Sequence, residues 1–93
     1  MMRMMIQMII EIEHDWYDSS GNSYEGVPTT FEISSELVID DSGEYTEYSA
    51  TLMSIKHCGV NYARVYVENT FGYIDIVKAE NAAEEYCAEG FTE

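Results

Sequence analysis

From Met4 to Glu13 the chain carries two interleaved series. Met4, Ile6, Met8, Ile10 and Ile12 are all apolar, whereas Met5, Gln7, Ile9, Glu11 and Glu13 begin apolar and end acidic. A period of two is that of a β-strand, and a strand apolar on one face throughout and on the other only at its start is expected near the centre of a sheet, its second face emerging into water. His14 to Thr29 is expected to be a long connection. Asp18, Ser19, Ser20, Gly21 and Asn22 are dense in turn chemistry, and Pro28 lacks the N–H that a central strand needs. A short edge strand at Ser23 to Val27 is compatible with that connection.

Phe31, Ile33, Leu37 and Ile39 then alternate with Glu32, Ser34, Glu36 and Asp40, which predicts a half-buried strand with carboxylates on its wet face. Asp41, Ser42 and Gly43 turn the chain. From Glu44 to Ile55 a further strand is predicted with Tyr48, Ala50 and Leu52 inward; Tyr45, Met53 and Ile55 lie in the other phase and imply a β-bulge. Lys56 to Asn61, with Gly59, is the next turn. Ala63, Val65 and Val67 alternate with Tyr62, Arg64, Tyr66 and Glu68, and Phe71 to Val77 is a second β-branched and aromatic run, so the two predict a hairpin. In the tail the period changes. Ala79, Ala82, Ala83, Tyr86 and Cys87 follow helical spacing, with Glu80, Glu84, Glu85 and Glu89 opposite and Gly90 placed to end the helix. The sum is one α+β domain over residues 1–93, an antiparallel, strongly twisted sheet of four to six strands with one short C-terminal helix over part of one face.

Charge changes this picture most. Eighteen acids stand against four bases, Arg3, Lys56, Arg64 and Lys78, giving a formal charge of −14 over 93 residues. No Lys or Arg occurs from position 4 to position 55, a stretch that holds 11 of the 18 acids. Because those acids alternate with core-forming residues, the stretch is expected to fold rather than to form a tail, and to display its charge in rows. Such a surface repels nucleic acid and anionic membranes, so neither is an expected partner, and a basic protein is. The opening apolar run is about ten residues, too short to cross a bilayer. With no signal segment and no paired cysteine motif, a cytoplasmic protein with Cys58 and Cys87 reduced and partly buried is expected.

No motif names a reaction. Aligning Gly21 or Gly43 with the EF-hand glycine puts Trp16 or Val38 at the first ligand position, which rejects that calcium loop, and no metal site or cofactor is expected. His57 beside Cys58 would point to the opposite face of a strand, so the pair is not read as a nucleophile and its base. His14, between Glu13 and Asp15, is expected to be solvated and held charged by those acids. No catalytic residue is assigned, and the chain is not expected to be an enzyme. Loop aromatics beside carboxylates are a different matter, because Trp16 and Tyr45 offer rigid contact area with steering charge nearby. Capping the open edge of a small core is the competing role for these rings.

Carboxylates at i and i+2 of a strand project from one face about 6.6 Å apart, a spacing suited to a groove built for backbone phosphates. Glu11 with Glu13, Glu32 with the nearby Glu36, and Asp40 with Glu44 and Glu47 around the turn supply such rows. The candidate partner-binding residues are therefore Glu11, Glu13, Asp15, Trp16, Asp18, Glu32, Glu36, Asp40, Asp41, Glu44, Tyr45 and Glu47. In size, charge and α+β build the chain resembles the small acidic inhibitors of host defence encoded by phages and mobile elements, of anti-CRISPR and anti-restriction type, some of which mimic DNA. That resemblance implies inhibition of a nucleic-acid-binding protein or complex in the host cytoplasm. The alternative is a structural or assembly protein, a virion component or a homo-oligomer subunit joined through an exposed strand edge; a homodimer fits either.

Overall fold

The structure, a computed structural model, describes residues 2–89. Four antiparallel strands run as a meander, β1 (Met2–Tyr17), β2 (Ser23–Asp40), β3 (Gly43–His57) and β4 (Val60–Ala63), in the order β1-β2-β3-β4. Two helices follow, α1 (Arg64–Phe71) and α2 (Tyr73–Ala88). The strands of the first two hairpins are long, and the molecule extends over 50 × 25 × 18 Å. The sheet is curled, and the helices lie on one face at the end nearer the β1–β2 and β3–β4 turns, which leaves the far end of the three long strands without helical cover.

The core forms where sheet and helices meet. Val27, Thr29, Phe31 and Ile33 of β2, Ala50, Leu52 and Ile55 of β3, and Ile76, Ala79, Ala83 and Cys87 of α2 are buried together. Ile10 stands opposite Phe31 and Phe31 opposite Leu52, so one face of all three strands feeds this core, with Met8, Ile10 and Ile12 packed at its margin. The register slips between Thr30 and Phe31, where Ser54 pairs with Thr30 but Leu52 with Phe31; Met53 is the extra residue. That bulge switches the inward phase from Ala50 and Leu52 to Ile55, as the two-phase pattern of β3 requires.

Several expectations are overturned. β1 is an edge strand, not a central one, and β2 is central and continuous across the segment read as a connection. Pro28 is tolerated there because pairing with β3 begins only at Thr29. At Pro28 the strand has a neighbour on one side, Glu13 of β1, so the missing N–H has no β3 acceptor to disappoint. The second predicted hairpin does not form: after four residues of β4 the chain turns helical. Helical phase buries Val67, packs Phe71 against the core and places Arg64 on Glu68 at 2.9 Å, leaving Val65 exposed, and Tyr62 of β4 stacks on Tyr66 at 4.5 Å. Gly72, at φ 93°, breaks the run into two helices, its N–H donating to the Glu68 carbonyl. The tail helix forms as the spacing predicts, starting earlier, at Tyr73. Gly90, read as its terminator, lies outside the described residues.

One side of the sheet is closed by side chains. β4 covers β3 only from Ser54 to His57. Beyond it, Glu80 of α2 accepts the Leu52 N–H at 2.8 Å and Glu84 accepts the Ala50 N–H at 3.1 Å, while Arg64 donates to the Leu52 carbonyl at 3.2 Å and to Glu80 at 2.8 Å. Glu80 and Glu84 thus complete the ladder in place of a neighbouring strand, instead of facing solvent as the helical pattern suggested.

Candidate functional site

The face of the sheet opposite the helices carries the alternate residues of each strand. On β1 these are Arg3, Met5, Gln7, Ile9, Glu11 and Glu13; β2 and β3 add Glu32, Glu36 and Glu47. Glu11 lies opposite Thr30 and Ile9 opposite Glu32, so Glu13, Glu11 and Glu32 form a line that passes diagonally from β1 to β2. Glu36 and Glu47 are directly opposite one another, an arrangement that like charges disfavour. Between that pair and the line lie Ser34 and Ser49, whose small side chains floor a shallow depression of about 450 Å³ bordered by Glu36, Glu47 and Met5. Arg3, on the same face, reaches Glu36 at 3.1 Å in an exposed ion pair of small energetic weight. The Glu11, Glu13, Glu32 and Glu47 carboxylates make no hydrogen bond or ion pair with any described residue.

The other candidate residues are placed elsewhere. Trp16 is 1% exposed; its indole N–H donates to the Thr29 hydroxyl at 3.2 Å, which in turn donates to the Val27 carbonyl at 2.9 Å. Its ring packs on Phe71, so it is a core residue with no surface to offer a partner. Asp15 accepts the Gly26 N–H at 2.9 Å where the β1–β2 register shifts between His14 and Trp16. Asp18 accepts the Ser20 and Asn22 N–H groups, the Asn22 side chain and the Tyr24 hydroxyl, and these bonds hold its carboxyl below the usual range. Both shape the β1–β2 turn. Asp40 accepts the Ser42 N–H at 2.8 Å in the β2–β3 turn, with Asp41 exposed beside it. Glu44 stands opposite Ile39, on the helix-bearing face, so it does not continue a row with Glu47. Tyr45, exposed and opposite Val38, does share the acidic face, at its far end. The structure therefore gathers Glu11, Glu13, Glu32, Glu36, Tyr45 and Glu47 on one uncovered face. The remaining acids lie at the two ends of the sheet.

Among the described residues no group of three or more His, Cys, Asp or Glu is positioned to hold a metal ion. Cys87 is buried, which pushes its thiol up, and Cys58 is exposed rather than partly buried, in the tight β3–β4 turn at φ 53°. The His57 ring packs edge-on against Tyr24 at 5.4 Å. His14 is half-buried with its ring edge-on to Trp16 at 5.1 Å, and this burial lowers its pKa despite the raising pull of Asp15 and Asp75, the reverse of the solvated, charged histidine expected. Among the described residues no helix is long and apolar enough to cross a membrane. No known protein family matches the chain, and no curated protein or solved structure does either.

Proposed function

We propose that this chain is an acidic binding protein that inhibits a nucleic-acid-binding protein or complex, of the anti-CRISPR or anti-restriction type, by presenting the uncovered face of its sheet to a basic groove. The observation that carries this reading is that Glu11, Glu13, Glu32 and Glu47 share one face of the strands, their carboxylates without a partner among the described residues. Unbalanced charge of this kind destabilises a compact fold, so its retention on one face favours a role outside the fold. Long-range steering by a body of charge −14 speeds encounter with a cationic groove and weakens as salt screens it. Capture from a host lysate at low salt, repeated with excess duplex DNA, tests the reading. Competition by DNA and loss of capture on Glu11, Glu13 and Glu32→Gln substitution are expected. Capture indifferent to salt and to these three substitutions refutes it. A second reading, an assembly protein that joins copies of itself, is favoured by a different observation, the bare edge of β1.

A further inference from the structure

β1 is the open edge of the sheet, and its two halves are defended differently. Exposed strand edges are ordinarily blunted by charge, proline, bulges or cover. From Glu11 onward the edge has carboxylates at Glu11, Glu13 and Asp15, a register shift against β2 between His14 and Trp16, and the helices close by. Residues 2–10 have Arg3 alone. The same residues hold a concentration of exposed apolar surface: Met2, Met4 and Ile6 on the helix-bearing face and Met5 and Ile9 on the acidic face, the last two 66% and 62% exposed.

We propose that a second copy of this chain pairs antiparallel along this edge, about a twofold axis at Gln7. In that register Met5 meets Ile9 of the second copy and Arg3 meets its Glu11, on one face. On the other face Met2 meets Ile12, Met4 meets Ile10 and Ile6 meets Met8. Every exposed apolar residue of the segment acquires an apolar neighbour, and the only base of the first half of the chain acquires an acid, twice by symmetry. A slip of one residue sets apolar against acidic faces. A slip of two either leaves Arg3 opposite Ile9 or brings Met5 opposite Glu11. The exposed surface of these residues, on the order of 600 Å² per copy, is the ceiling on the apolar area that pairing removes from water, and the main-chain ladder adds to it. Twofold pairing uses the β1 edge of both copies at once, so assembly through it stops at two and yields a continuous eight-stranded sheet. The helices end up at opposite extremes, clear of the contact.

Sedimentation equilibrium of the full chain tests this directly. Twice the monomer mass is expected, with association strengthening from low to physiological salt because two bodies of charge −14 repel. Capture of a basic partner changes with salt in the opposite sense, so this inference and the preceding reading fail separately. Arg3→Glu is expected to weaken the dimer roughly tenfold or more, and Arg3→Glu with Glu11→Arg to restore it. With Cys58→Ser as background, Gln7→Cys is expected to form an intermolecular disulfide, as is Met5→Cys combined with Ile9→Cys, while Met5→Cys alone is not. A monomer at every concentration and salt overturns the proposal, including the case in which another protein's strand takes the edge. So does a dimer that neither cross-links through Cys at position 7 nor regains affinity in the charge-swapped double variant.

Discussion

In a molecule of charge −14, deleting a carboxylate should relieve repulsion and leave stability unchanged or slightly raised. Glu80 is expected to do the opposite. Its carboxylate accepts the Leu52 N–H and an Arg64 N–H, both at 2.8 Å, at the margin of the core, with the side chain 18% exposed. Glu80→Ala strands the Leu52 donor, which costs about 1–3 kcal/mol for a buried group left unpaired. The Arg64 contribution must be discounted, because its side chain is 31% exposed and keeps Glu68 and the Leu52 carbonyl. Together about 2–3 kcal/mol is expected, a fall in Tm of about 10–20 °C for a domain this small. Glu80→Gln, which keeps an acceptor and loses the charge, should fall between. Glu47→Ala is the matched control, since Glu47 faces Glu36 across the ladder and has no internal partner; a change between zero and a few tenths of a kcal/mol in the stabilising direction is expected. Urea denaturation of the three variants at one salt concentration measures the set. A Glu80→Ala protein within 0.5 kcal/mol of the parent would mean that carboxylates from α2 do not close the sheet.

Gly72→Ala should cost about 1–3 kcal/mol from backbone strain alone, because φ 93° and ψ 162° are a glycine conformation and no atom lies within 4 Å of an added Cβ; thermal unfolding reads it, and an unchanged Tm refutes it. Trp16→Phe should lose the bond to Thr29 and some packing, about 1–2 kcal/mol, without altering capture of a basic partner, whereas reduced capture at unchanged stability would return Trp16 to the interface. Burial favours neutral His14, so unfolding takes up a proton. Stability from this residue is complete above its unfolded value of 6.5 and declines as pH falls below it, and a His14→Asn variant should show a flatter profile than the parent between about pH 7.5 and 5.5, equal slopes counting against the assignment.

The sequence carried local periodicity faithfully and neighbour relations poorly. The two phases of Glu44 to Ile55 announced the bulge at Met53, and the spacing of Ala79, Ala83 and Cys87 announced the buried stripe of α2. Both signals are set by a residue's own surroundings in one element. Whether β1 is central or an edge depends on what lies beside it, and an apolar strand reads alike in both cases, because exposed Met4 and Ile6 have the same side chains that a buried strand would. Pro28 misled for the same reason, since its cost depends on where the neighbour's pairing begins. At Ala63 to Val67 alternation and high β-propensity competed with the helical pair Arg64 with Glu68, and burial of Val67 and Phe71 decided for the helix. Of the candidate residues, Glu11, Glu13, Glu32, Glu36 and Glu47 were read on strands, where the structure has them, whereas Tyr45, read as a loop aromatic, stands on β3. Trp16 is buried and Asp18 bonds within its turn, because turn aromatics and turn acids look the same whether they face a partner or knit the turn.

Subtracting the acids that have structural work sharpens the charge argument. Asp15, Asp18 and Asp40 accept backbone N–H groups in turns, and Glu80 and Glu84 accept them along β3. Each offsets its own repulsion by satisfying a donor that would otherwise need another partner. Glu11, Glu13, Glu32 and Glu47 offset nothing among the described residues, and they stand on the face that the helices leave open. Raising salt should therefore stabilise the isolated domain by screening these four from one another while weakening its hold on a basic partner. Those opposite trends have a common origin, and Glu11, Glu13 and Glu32→Gln together should flatten both. If the substitutions flattened the stability trend but left partner capture salt-dependent, the acidic face would be a feature of the fold's own electrostatics and the binding surface would lie elsewhere, with the aspartates of the turns the next place to look.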